Sequence, residues 1–134
     1  AAQRIPRCGQ RMYRLDLKVR LHNGSDIAIG PGKAELLAAI AEHGSISAAA
    51  RALGMSYRRA WLLVETMNRS FKQPLVSTLA GGKHGGGTQL TATGEQVLQR
   101  YRGICAAAQV AVQSGCDELA ELMAELVPLD HADR

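Results

Sequence analysis

Two adjacent guanidinium groups, Arg58 and Arg59, follow Ser56 and Tyr57 in the run Ser45-Ile46-Ser47-Ala48-Ala49-Ala50-Arg51-Ala52-Leu53-Gly54-Met55-Ser56-Tyr57-Arg58-Arg59-Ala60-Trp61. A guanidinium can fork onto guanine O6 and N7, a contact worth roughly 1–3 kcal/mol of base discrimination. It can equally hold a phosphate and read nothing, and residue type leaves both roles open. Ser47, Ser56 and Tyr57 add hydroxyl donors on the same stretch. A second cluster, Gly81-Gly82-Lys83-His84-Gly85-Gly86-Gly87, sets a cation and an imidazole in a loop with five glycines in seven residues. So little side-chain bulk lets Lys83 and His84 come close to a backbone. The plainer alternatives are a solvated arginine pair and a flexible hairpin tip whose glycines serve only the turn.

Other chemistries find no support. His22, His43, His84 and His131 are scattered, with no G-x-S-x-G, H-E-x-x-H or Walker loop. The glycine cluster lacks the G-K-[ST] ending that a phosphate-cradling P-loop needs. No catalytic constellation is present, so the chain is not expected to be an enzyme. Cys8, Cys105 and Cys116 form no C-x-x-C pair, which argues against a structural zinc site and against a disulfide framework. Cys105 and Cys116 would lie on one face of a continuous helix but ~16 Å apart along it. A thiol or metal sensor would therefore need two chains. Thiols without a framework fit a reducing, cytoplasmic compartment. The longest apolar run, Leu36 to Ala41, falls far short of the ~20 residues needed to span a bilayer, so no membrane partner is expected.

Charge points to a polyanion. The 134 residues carry a net charge of +4, unevenly spread. Residues 1–22 hold Arg4, Arg7, Arg11, Arg14, Lys18 and Arg20 against Asp16 alone. Residues 113–134 hold Asp117, Glu118, Glu121, Glu125, Asp130 and Asp133 against Arg134. A basic body with an acidic tail suits double-stranded nucleic acid.

The elements that must position these groups follow from periodicity and punctuation. Tyr13, Leu15, Leu17, Val19 and Leu21 alternate with Arg14, Asp16, Lys18, Arg20 and His22, which predicts a half-buried strand. Asn23-Gly24 predicts a hairpin turn, with the return strand at residues 26–29. Residues 33–42 predict a helix stopped by Gly44, with Leu36, Leu37 and Ile40 inward. Ser45 caps a second helix over 46–53, closed by Gly54, and Ser56 caps a third running to about Phe71. Ile46, Leu53, Met55, Ala60 and Leu63 or Val64 fill a small core, and Trp61 is expected to pack with them. Two short strands, 75–79 and 88–90, flank the glycine loop. A long helix from Thr93 to about Val127 carries Val97, Tyr101, Ile104, Ala108, Val112, Leu119, Leu122 and Leu126 as an apolar stripe, with Gly103 and Gly115 as weak points. This order describes a mainly α chain with small β: a winged helix-turn-helix with an N-terminal β-hairpin and a long C-terminal dimerisation helix.

Gly44-Ser45-Ile46-Ser47, Ser56-Tyr57-Arg58-Arg59-Ala60-Trp61, Met67-Asn68 and the glycine loop followed by Leu90-Thr91 and Gly94 closely resemble the DNA-binding half of the ModE-like molybdate-dependent transcriptional regulators. More distantly, they resemble the N-terminal domain of LysR-type regulators. The resemblance implies a homodimer binding an operator near molybdate-transport or molybdoenzyme genes. Full-length members carry molybdate-binding modules after the linker helix. The chain ends at Arg134, so no cofactor is expected and direct molybdate sensing is not.

These observations predict a flexible basic arm (1–11), a hairpin plus winged helix-turn-helix domain (12–91), a linker and dimerisation helix (92–127) and an acidic tail (128–134). The expected activity is sequence-specific DNA binding by a cytoplasmic homodimeric regulator. DNA contacts are assigned to Ser47, Ser56, Tyr57, Arg58, Arg59, Lys83 and His84. The alternative is a protein–protein assembly module of the same fold, which has no need of Arg58, Arg59 and Lys83 on one face.

Overall fold

The computed structural model describes residues 13–78 and 87–124. The arm at 1–11, Lys83 and His84 of the wing, Leu126 and the acidic tail lie outside the described residues. Elements run β1 (Leu21–Asn23), β2 (Asp26–Ile29), α1 (Pro31–His43), α2 (Ile46–Leu53), α3 (Tyr57–Ser70), β3 (Val76–Thr78), β4 (Thr88–Leu90) and α4 (Ala92–Ala120). Each strand pair forms its own antiparallel two-stranded sheet. Lys18–Cys105 form one compact unit, and the described residues 13–17 and 106–124 belong to another.

The helix boundaries follow their punctuation. Pro31 opens α1, where its missing N–H costs nothing, two residues before the predicted start. Gly44 closes α1 at φ 76 and Gly54 closes α2 at φ 70. This left-handed conformation is open to glycine without a Cβ clash. The side chains of Ser45 and Ser56 accept from Ala48 N and Arg59 N, each at 3.0 Å, capping α2 and α3. The core of the Lys18–Cys105 unit is built on Leu36, Leu37, Ile40, Met67 and Leu75, all fully buried. Ala49, Ala50 and Ala60 let the helices approach closely, and Leu53, Met55 and Leu63 pack around this centre.

The long first strand is a correction. Residues 13–20 are not strand, and β1 begins only at Leu21. Leu21 pairs with Ile29, the last residue of β2, after which Pro31 starts a helix. A strand has no partner for its backbone beyond that point. The carbonyl of Val19 instead accepts from the Tyr101 hydroxyl at 2.8 Å. Burial, with Cys105 beside it, pushes this phenol up to about 12, so it remains a donor through the neutral range.

The helix α4 also differs in extent. It ends at Ala120, short of Val127, as three-residue backbone bonds such as Leu122 N to Leu119 O tighten and close it. Gly103 and Gly115 do not interrupt it. In the second unit, Gln113 donates to the Tyr13 hydroxyl at 2.8 Å, and Tyr13 donates to Asp117.

Candidate nucleic-acid interface

Met55 N bonds to Ala50 O at 3.0 Å and Gly54 N to Arg51 O at 3.2 Å, closing the turn between α2 and α3. With Ala60, Val64 and Met67 buried on one side of α3, its opposite side is left to solvent. Ser47, Ser56, Tyr57, Arg58 and Arg59 are all exposed. The structure therefore brings Ser56, Tyr57, Arg58 and Arg59 together at the N-terminal end of α3, as their spacing predicts. Ser47 lies on the first turn of α2. Ser56, Arg58 and Arg59, with Leu62, Leu63 and Thr66, line an open cavity of about 240 Å³ along this helix. A polar mouth with two guanidinium groups and no carboxylate in its lining is chemistry for phosphate and base edges.

Trp61 is a second correction. It is 43% exposed, one turn after Tyr57 on the same outward face, where the packing reading expects it covered. The inward positions are Ala60, Val64 and Met67, and Trp61 falls about 100° away from that stripe.

Two positioning residues carry no role in the sequence reading. Asn68 Oδ1 accepts from Leu75 N at 2.8 Å and Val76 N at 3.1 Å, while its Nδ2 donates to Val76 O at 3.2 Å. One amide thus ties the end of α3 to β3, the strand that leads into the glycine loop. Gly94 is the second. A Cβ there would stand 2.1 Å from Leu75 O, so α4 touches the same backbone through a bare Cα. Thr91 completes the joint: its hydroxyl donates to Pro74 O at 2.7 Å and accepts from Gly94 N at 2.9 Å. β4 is held in turn by Thr88 N on Gly44 O at 2.9 Å, at the entry to α2.

Of the predicted dimerisation stripe, Tyr101 is a correction, since it is buried in the core with its hydroxyl on Val19. Val97 packs partly against that core, with Leu98 buried beside it. Ile104, Leu119 and Leu122 are 43%, 58% and 83% exposed, and Ala108 and Val112 are half-buried. Val110, missed by the three-and-four spacing, is 76% exposed. Among the described residues no group of three metal-ligating side chains forms a metal site, and Cys105 and Cys116 are free thiols.

Residues 32–95 match the model of the bacterial regulatory helix-turn-helix protein, lysR family. Over that stretch the chain is similar to the lysR-type helix-turn-helix. The match runs from the start of α1 into the first turn of α4, and so takes in α2, α3 and both wing strands. The chain is 40% identical over 99 residues to "Molybdenum transport protein ModE" of Azotobacter vinelandii, covering 74% of this chain and 35% of that protein. It is 40% identical over 105 residues to "Molybdenum-pterin-binding protein MopB" of Rhodobacter capsulatus, covering 78% and 36%. It is 42% identical over 71 residues to "DNA-binding transcriptional dual regulator ModE" of Escherichia coli K12, covering 53% and 27%. The matched stretch is thus about a third of these relatives' length or less. A crystal structure of a LysR family transcriptional regulator superposes on 69% of the chain with TM-score 0.48 and 19% identity. The matched stretch is similar to the helix-turn-helix of lysR-family regulators and to part of the ModE and MopB proteins. Among the described residues, no helix is long and apolar enough to cross a membrane.

Proposed function

We propose that this chain is the DNA-binding part of a sequence-specific transcriptional regulator that acts in the cytoplasm as a homodimer. The observation that carries the reading is the exposed end of α3, where Ser56, Tyr57, Arg58 and Arg59 stand clear of the core within the stretch similar to the lysR-type helix-turn-helix. In helix-turn-helix proteins this end of the second helix enters the major groove. Arg58 and Arg59 supply base or phosphate contacts, and Ser47 holds backbone from the start of α2. Lys83 and His84 of the glycine loop supply contacts to the adjacent backbone, and Asn68, Thr91 and Gly94 lock the flanking strands to α3 and α4. Residues 12–91 serve as the reading head, and residues 92–127 as the linker and dimer helix. The names of the ModE relatives support genes of molybdate transport or molybdoenzymes as targets.

Fluorescence anisotropy with a random duplex, repeated over a range of salt, tests the DNA-binding core of this reading. Affinity should fall linearly on a log–log plot, with a slope near −0.9 for each phosphate neutralised. An absence of binding at low salt would overturn it.

A further inference from the structure

Beside the reading end of α3 lies a second cavity of about 240 Å³ whose charged lining is entirely cationic: Lys18, Arg20, Lys33 and Arg59. Apolar side chains and the glycine-proline bend at 30–32 make up the remaining wall. The four cations come from three places in the chain: the segment before β1, the first turn of α1, and α3. Gly30 leaves room beside one of them, since a Cβ there would stand a tight 3.2 Å from the Arg20 Cγ. Among the described residues none of the four is in an ion pair. Asp26 raises the affinity of Lys33 for its proton but is itself bound to Arg69 at 3.3 Å. Burial holds the Lys33 ammonium below its ordinary range, and Arg59 pushes it the same way.

Like charges brought together from separate elements repel, and an apolar wall strengthens that repulsion. An anion in their midst reverses its sign. Guanidinium and ammonium groups converging without a carboxylate suit the oxygens of a phosphate, which Arg forks onto and Lys meets as a point charge. Arg59 lines both this cavity and the one on α3, so an anion here lies next to whatever α3 reads.

We propose that this cavity seats a phosphate group of the DNA backbone flanking the groove that α3 enters, so that Lys18, Arg20 and Lys33 extend the footprint beyond the helix-turn-helix. The proposal rests on the DNA-binding reading above. Two variants of the full chain, Lys33→Gln and Arg20→Gln, test it on random duplex over about 50 to 200 mM salt. Each should reduce the salt slope by about 0.9, so that the fourfold rise in salt costs a variant about 3.5-fold less affinity than it costs wild type. Far-ultraviolet circular dichroism checks that each remains folded. Slopes equal to wild type in both folded variants would overturn the seat. Inorganic phosphate titrated into DNA-free protein, followed by the Gly32 amide resonance, separates the two sources of the anion. Saturable shifts that Arg20→Gln abolishes, together with unchanged DNA slopes, would assign the cavity to a free oxyanion and refute the DNA phosphate. If wild type itself shows no salt-dependent duplex affinity, the DNA-binding reading is what fails.

Discussion

Arg58 and Arg59 are exposed, and their side chains contribute nothing to the buried core. Replacing both with Ala should therefore shift stability by no more than about 0.5 kcal/mol, the range for surface changes. Operator affinity should fall much further, by about 1–3 kcal/mol for each arginine that reads a base. Gel-shift titration beside a thermal melt separates the two effects, and undiminished affinity in a folded double variant would remove both residues from the interface. Gly94 behaves in the opposite way. Its missing Cβ is where Leu75 O sits, so Gly94→Ala must displace backbone and should cost at least about 2 kcal/mol by denaturant unfolding. The arginines were legible from type and spacing because a helix-turn-helix exposes the start of its second helix. The Gly94 contact was not, since a close approach between residues 19 apart leaves no local pattern. Trp61 was misread for a related reason: its large apolar surface suggested burial, but the small residue Ala60 occupies the inward position.

At the scale of elements, caps and stops made α2 and β4 readable to the residue, and α1 and α3 to within two. Each boundary is a local event: a serine accepting an N–H, a glycine at positive φ, or a proline at the first turn. The long strand at 13–22 failed because strand formation depends on a partner, and β2 is only four residues long. Alternation reports which faces differ in polarity, not whether a neighbour exists to pair with. The helix α4 offers a cleaner test of local propensity. Gly103 and Gly115 lie inside it, exposed, and a Cβ at either would meet nothing within 4 Å. Gly103→Ala and Gly115→Ala should each stabilise the helix by roughly 0.5–1 kcal/mol, by removing the backbone freedom glycine brings to the unfolded chain. Chemical denaturation of the two single variants checks this, and a loss of stability would mean that a neighbour packs where the structure shows open space. The wing makes a different demand. Lys83→Ala should weaken binding about equally on all duplexes and flatten the salt slope by about one unit. A changed base preference at constant slope would make Lys83 a base reader.

For the whole molecule, site selection itself argues for two copies. One winged helix reads only a few base pairs, too few to pick one site among the millions of competitors in a genome. A twofold pair presents two α3 ends one helical turn of DNA apart and multiplies the discrimination. The surface available for pairing is the end of α4 and the turn after it, where Leu119 and Leu122 are 58% and 83% exposed. Soluble monomers rarely leave such side chains uncovered along one element. Tyr101 takes no part, being committed to the core, so the pairing surface begins no earlier than Ile104. Sedimentation equilibrium at micromolar protein should return the mass of a dimer. Leu119→Glu with Leu122→Glu should return it to 14.3 kDa, the mass of one chain, because two carboxylates per copy cannot be desolvated against each other. The monomeric variant should still bind DNA, with a shallower salt slope since it contacts half as many phosphates. A wild-type monomer would refute the dimer, and a double variant that remains dimeric would move the interface off this part of α4.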